Sequence, residues 1–150
     1  MDSTMEIPPK TKIRYRILAG LIDYALIYAF FLTYLFSFGT PDEEANYSIE
    51  GLPALVPVIF WFLMTIGVEI WLGATVGNTI AGLRAIPQNG RNRKLTFGES
   101  FKRHFCDVID MSFFGLVGII TIKNTAKRQR LGDLWGRTIV VRAKDLDQPG

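Results

Sequence analysis

Residues 17–38 read ILAGLIDYALIYAFFLTYLFSF, 22 residues with a single charge, Asp23. At about 1.5 Å per residue, that run makes a helix of about 33 Å, enough to cross a hydrocarbon core of about 30 Å. A carboxylate at such a depth is costly and is kept for a bundle interior, a polar cavity or an ion path. The run therefore predicts a membrane helix that carries a polar site. It is too long for the apolar core of a cleavable signal peptide, and no small-residue cleavage pattern comes after it, so a retained signal-anchor helix is expected.

The composition agrees with this reading. Of 150 residues, 49% are hydrophobic and the net charge is only +3, with a mean hydropathy of +0.21. That is apolar for a soluble domain, yet it leaves room for polar segments. Cys106 is the one cysteine, so no intramolecular disulfide forms. No Gly-rich phosphate loop, nucleophile–base pair or metal-ligand spacing is present. The expectation is a protein that is not an enzyme, with no cofactor, no metal site and no nucleic-acid partner.

A second apolar run, LPALVPVIFWFLMTIGVEIWLG (52–73), holds only Glu69. Pro53 suits a helix start, and Pro57 is expected to bend the helix slightly. A third run, MSFFGLVGIITI (111–122), is only 12 residues long. It fits a re-entrant segment better than a full span, with Gly115 and Gly118 offering a place to turn. The alternative is a true third span over about 105–122. Between the runs, residues 75–78 read as an interfacial turn and residues 83–87 as a strand. Asn89-Gly90 reads as a turn, and Thr96 with Glu99 as a capping box. Residues 138–141 read as a strand able to pair with 83–87.

Lys and Arg set the orientation. The N-terminal flank, the connection after the second run and the tail are all basic. The connection 39–51 has no Lys or Arg and holds Asp42, Glu43, Glu44 and Glu50. Both termini are therefore expected in the cytoplasm, which a hairpin-shaped third segment satisfies. Asp23 then lies about 9 Å deep, and Glu69 about 6 Å from the same surface. Asp107 and Asp110 arrive from that side as well. Arg16 and Asp23 share a helix face, as do Arg103, Asp107 and Asp110; Arg103 and Arg130 are supporting cations. Two uses of these charges compete. Buried Arg–Asp pairs could lock a small bundle. Alternatively, Asp23, Glu69, Asp107 and Asp110 could form a cation or proton site, because grouped carboxylates in a low dielectric raise one another's pKa. His104 reads as an interfacial side chain. The GxxxG spacing of Gly73 and Gly77 is weak evidence for helix dimerisation.

Four stretches carry a family resemblance: Arg16, Ala19 and Asp23 at the first span, GATVGNTIAGLR (73–84), FGESFKR (97–103) and RQRLGDLWGRTIVV (128–141). In order and spacing they resemble the RDD family of membrane proteins, named for one arginine and two aspartates. The resemblance makes Arg16, Asp23 and Asp133 the name-giving residues and places them in one polar cluster. Gly132 stands where a histidine is common, and Trp135-Gly136-Arg137 replaces a small, apolar run. Some relatives are credited with cation/proton antiport, and others look like accessory subunits of membrane assemblies.

The expected fold is an all-α membrane protein, one RDD-like domain over 1–150 with its core at 14–142 and flexible ends at 1–9 and 145–150. It has two transmembrane helices, a third re-entrant or spanning hydrophobic helical segment, and a small cytoplasmic β element. The expected location is a bacterial inner membrane with a cytoplasmic N-terminus. The expected partners are the lipid bilayer, further copies or a larger membrane complex, and a monovalent cation. Reporter fusions after residue 150 and within 42–46 should report opposite sides of the membrane; a periplasmic C-terminus would reject the hairpin.

Overall fold

The computed structural model describes residues 11–110 and 112–147; the expectation of a flexible segment at 1–9 lies outside them. Helix α1 spans Ile13–Phe38. It begins at Ile13, four residues ahead of the apolar run, and so includes Arg16, which is buried. Gly39 ends it, its N–H bonding the Leu35 carbonyl at 2.8 Å. A two-residue ladder, β1 (Thr40–Pro41) with β2 (Tyr47–Ser48), closes the connection. Asp42 steadies its tip by accepting from the backbone N–H of Glu44 and Asn46 at 2.9 and 2.8 Å.

Helix α2 runs back over Leu52–Leu72. Phe30 stacks on Phe60 with centroids 3.8 Å apart, and the Tyr34 hydroxyl donates to the Pro53 carbonyl at 3.1 Å, which fixes α1 and α2 as antiparallel neighbours. Both are long and apolar enough to cross a membrane, and much of their apolar surface faces outward. The helix α2 is not uniform. A 3-10 turn holds Pro53, and Leu63–Gly67 forms a π turn. The extra residue of a π turn rotates the helix beyond it and so re-aims its side chains. Here Thr65, Ile66 and Glu69 all come to point inward, at 2%, 0% and 0% exposure.

Gly73, at φ +88°, stops α2, and Thr75 caps a short helix, α3 (Val76–Ile80), where an interfacial turn was expected. The strands β3 (Leu83–Pro87) and β4 (Thr138–Arg142) pair antiparallel from Leu83 opposite Arg142 to Pro87 opposite Thr138, the pairing expected for these two segments. Their side chains build the apolar core: Ala19, Leu83, Ala85, Leu95 and Val140 in one cluster, and Ile86, Ile139, Val141 and Leu146 in another. Gly90 closes the Asn89-Gly90 turn at φ +78°.

The predicted capping box opens helix α4 (Phe97–Phe105). Short α5 (Asp107–Asp110) and longer α6 (Ser112–Asn124) come next. The chain direction changes by 114° between Phe97–Asp110 and Gly115–Asn124, so this third segment is sharply bent rather than straight. The break lies between Asp110 and Gly115, Gly115 has φ +81°, and the helix continues through Gly118. Helix α7 (Leu131–Gly136) leads into β4, and α8 (Ala143–Leu146) packs Leu146 into the core. Residues 145 and 146 of the segment expected to be flexible belong to this helix, and residues 148–150 lie outside the described residues.

Close backbone approach places these pieces. A Cβ on Gly77 would strike the Ala19 carbonyl, which puts the Gly77 of the GxxxG spacing in contact with α1 of its own chain. A Cβ on Gly98 would meet nothing within 4 Å. Gly77→Ala should therefore destabilise the protein by about 1–3 kcal/mol, the usual cost of overpacking, whereas Gly98→Ala should be neutral or slightly stabilising. Unfolding temperatures of the two variants in detergent check this; equal effects would remove the α1–α3 contact from the account.

Candidate functional site

The helix α7 has Gly132 and Gly136 one turn apart, and both face α4. A Cβ on Gly132 would run into the Arg103 carbonyl, and one on Gly136 would lie 2.9 Å from the Glu99 carbonyl. A side chain as large as histidine at Gly132 would not fit this packing. The close approach delivers Asp133, fully buried, between two guanidiniums. Arg16 on α1 reaches its Oδ2 at 2.5 Å, and Arg103 on α4 bonds its Oδ1. The Arg130 backbone N–H adds a bond at 3.0 Å.

The network extends from there. Arg103 also faces Glu69 at 3.3 Å and donates to the Thr138 hydroxyl at 3.1 Å. Glu69 accepts from the Ser100 hydroxyl at 2.6 Å. His104 stands between two carboxylates, its Nε2 3.1 Å from Glu69 and its Nδ1 2.8 Å from Asp107. With both carboxylates ionised, the ring must donate from both nitrogens, so it carries two protons. Asp107 also faces Arg130 at 3.3 Å.

Two aspartates do a different job. Both Asp110 oxygens accept from the first N–H groups of α7, Leu131 at 3.1 Å and Gly132 at 3.0 Å. Asp23 accepts from the Thr75 hydroxyl at 2.7 Å and the Gly77 N–H at 2.6 Å. Arg16 therefore pairs with Asp133 and the Arg128 carbonyl rather than with Asp23 as helix spacing suggested. The reason is that α3 crosses α1 against Ala19 and presents its donors to Asp23 directly. Glu69 is enclosed by protein on every side.

Beside the network lies a cavity of about 110 Å³. Asp23, Asp107, Asp110, His104, Arg103 and Arg130 form its polar wall, with Tyr24, Thr75 and Asn78; Leu21, Ile119 and Ile122 contribute apolar surface. Three of the four proposed cation-site carboxylates thus share one cavity, and Glu69 joins them through His104. Sequence reading passed over His104 as an interfacial side chain and missed the Gly132–Gly136 spacing. A GxxxG spacing beside an aspartate, with a basic helix upstream, was the available signal.

The model of the RDD family matches residues 11–137. The chain belongs to the RDD family. Neither a curated protein nor a solved structure matches it. Membership and the two long apolar helices together point to a membrane protein. In this RDD chain, Arg16 and Asp133 pair directly. Asp23 sits on the same helix as Arg16 but anchors α3.

Asp133 lies outside the two long helices, and its titration reports the network. Burial alone would raise its carboxyl, but Arg103, Arg16 and Arg130 hold it well below the usual carboxylate range. Its folded pKa is thus below the unfolded value of about 3.9. The stability it contributes is complete above that value and is lost as pH falls toward the folded pKa. Asp133→Asn should destabilise by about 3–5 kcal/mol near neutral pH, because it strands buried guanidiniums. The gap to the wild type in detergent unfolding should narrow below pH of about 4. A gap unchanged from neutral to acid would argue against ion pairing at Asp133.

Proposed function

We propose that this membrane protein exchanges a monovalent cation for a proton across a bacterial inner membrane. The observation that carries this reading is the cavity wall. It brings Asp23 and Asp110, which make no ion pair among the described residues, together with Asp107 and His104, beside a network in which Glu69, Asp107 and Asp133 pair with three guanidiniums and one imidazole. Carboxylates in excess of guanidiniums leave a site for a small cation or a proton. Two long helices do not enclose a path alone, so the transporting unit is a homo-oligomer or a larger membrane complex. Basic flanks support a cytoplasmic N-terminus.

A second reading has its own support. Every oxygen of Asp23 and Asp110 already accepts a hydrogen bond from a nearby donor. Such carboxylates serve well as structural caps, and the chain would then be a scaffold or accessory subunit that meets a partner or anionic lipid through its basic cytoplasmic face.

Purified protein in proteoliposomes separates the two. Under exchange, an imposed Na⁺ or K⁺ gradient should drive a pH change that saturates with cation. Asp23→Asn keeps the side-chain volume but does not titrate, and it should abolish the signal while the protein stays folded. Wild-type vesicles that move neither cation against a pH gradient, or normal transport by Asp23→Asn, would leave the scaffold reading.

A further inference from the structure

The helix α4 is inside out for a water-facing helix. Its buried side carries Ser100, Arg103 and His104, at 0%, 1% and 4% exposure. Its open side carries Phe97, Phe101 and Phe105, at 55%, 36% and 59%. The three aromatic residues recur at i, i+4 and i+8, one face of a helix. Their rings form a ladder, with centroids 5.8 and 5.6 Å apart, and Trp135 of α7 extends it at 5.9 Å from Phe105. In water this arrangement would expose what the hydrophobic effect buries and bury what it exposes.

Two observations identify what covers the ladder. The first is continuity: Phe62 of α2 lies 6.1 Å from Phe97, so the ladder extends the apolar surface of a membrane-length helix. The second is charge. Between residues 84 and 103 the one acidic side chain is Glu99, and Arg93 holds it with bonds of 2.9 and 2.8 Å. The exposed charges left beside the ladder are cations. Lys102 places its ammonium 5.9 Å from the Trp135 ring centre, and Arg137 is exposed at the end of α7. Aromatic rings flanked by Lys and Arg are the pattern of the headgroup boundary.

We propose that α4 and the Trp135 corner of α7 form an in-plane site for anionic phospholipid of the surrounding leaflet. Acyl chains cover Phe97, Phe101 and Phe105, and the phosphate group meets Lys102 and Arg137. The segment that carries His104 and Arg103 is then seated by lipid on one side and by the charge network on the other. This holds whether or not the protein moves a cation.

The test uses the whole protein in nanodiscs that contain brominated phosphatidylglycerol or brominated phosphatidylcholine at the same mole fraction. Subtracting Trp135→Phe from wild type isolates the Trp135 fluorescence from that of Trp61 and Trp71. The Trp135 component should be quenched by both lipids, and about two- to fivefold more strongly by the anionic one, the enrichment that one cation near the surface gives. Lys102→Gln should bring the two lipids level while the quenching remains. Native mass spectrometry of the wild type, released from a mixed bilayer, should show phosphatidylglycerol retained over phosphatidylcholine, with the preference lost in Lys102→Gln. A Trp135 component open to aqueous acrylamide and untouched by brominated lipid would overturn the proposal, as would one shielded from both by another protein surface. Equal quenching of the wild type by both lipids would remove the anionic site.

Discussion

Asp133 is the point on which the rest of the molecule closes. It is fully buried and shared by Arg16 of α1 and Arg103 of α4, so one carboxylate ties three elements that are remote in sequence. The attraction in a low dielectric is large, but so is the loss of hydration, and a buried pair adds little net stability over an apolar substitute. What it imposes is geometry. Any other packing of α1 on α7 leaves a charge buried without a partner, which costs several kcal/mol. The network is therefore better understood as selecting one arrangement than as gluing the helices together.

The same constraint explains the pattern of small residues. A guanidinium reaches a carboxylate only if the backbones behind them come close. Gly132 and Gly136 permit this for α7 on α4, and Gly77 against Ala19 lets α3 bring a backbone N–H, not a guanidinium, to Asp23 of α1. The π turn in α2 does comparable work by rotation, because it turns Glu69 toward Arg103 and Ser100. Glycines, the π turn and charges thus form one device. The glycines and the turn set distances and directions, and the charges reject alternatives.

What could be read from the sequence was local. The two membrane-length helices come from apolar runs, the start of α4 from Thr96 and Glu99, and the β3–β4 pair from the β-branched run 138–141 and the short segment 83–87 ahead of the Asn89-Gly90 turn. The meeting of Arg16 with Asp133 came only from family resemblance. The partners of Asp23 were not legible, because they depend on how closely α3 crosses α1, and no pattern along one helix encodes a crossing distance. His104 was underrated for a related reason. Its two carboxylates come from α2 and from the residues just after α4, and the α2 carboxylate is aimed by a π turn that no residue spacing announces.

The chain order of these contacts has a consequence for biosynthesis. Arg16 and Asp133 are 117 residues apart. At about 5–20 residues per second of synthesis, Asp133 is made about 6 to 23 s after Arg16. During that interval α1 and α2 can form a hairpin; Glu69 has no partner until α4 is made, and Arg16 has none from α7 until the interval ends. Water or lipid headgroups at the interface must hold these charges meanwhile. The pair of membrane-length helices is thus made first, and the network at its polar end closes only when α7 and β4 are complete. A ribosome stalled before residue 133 would present the α1–α2 hairpin with its polar end still open.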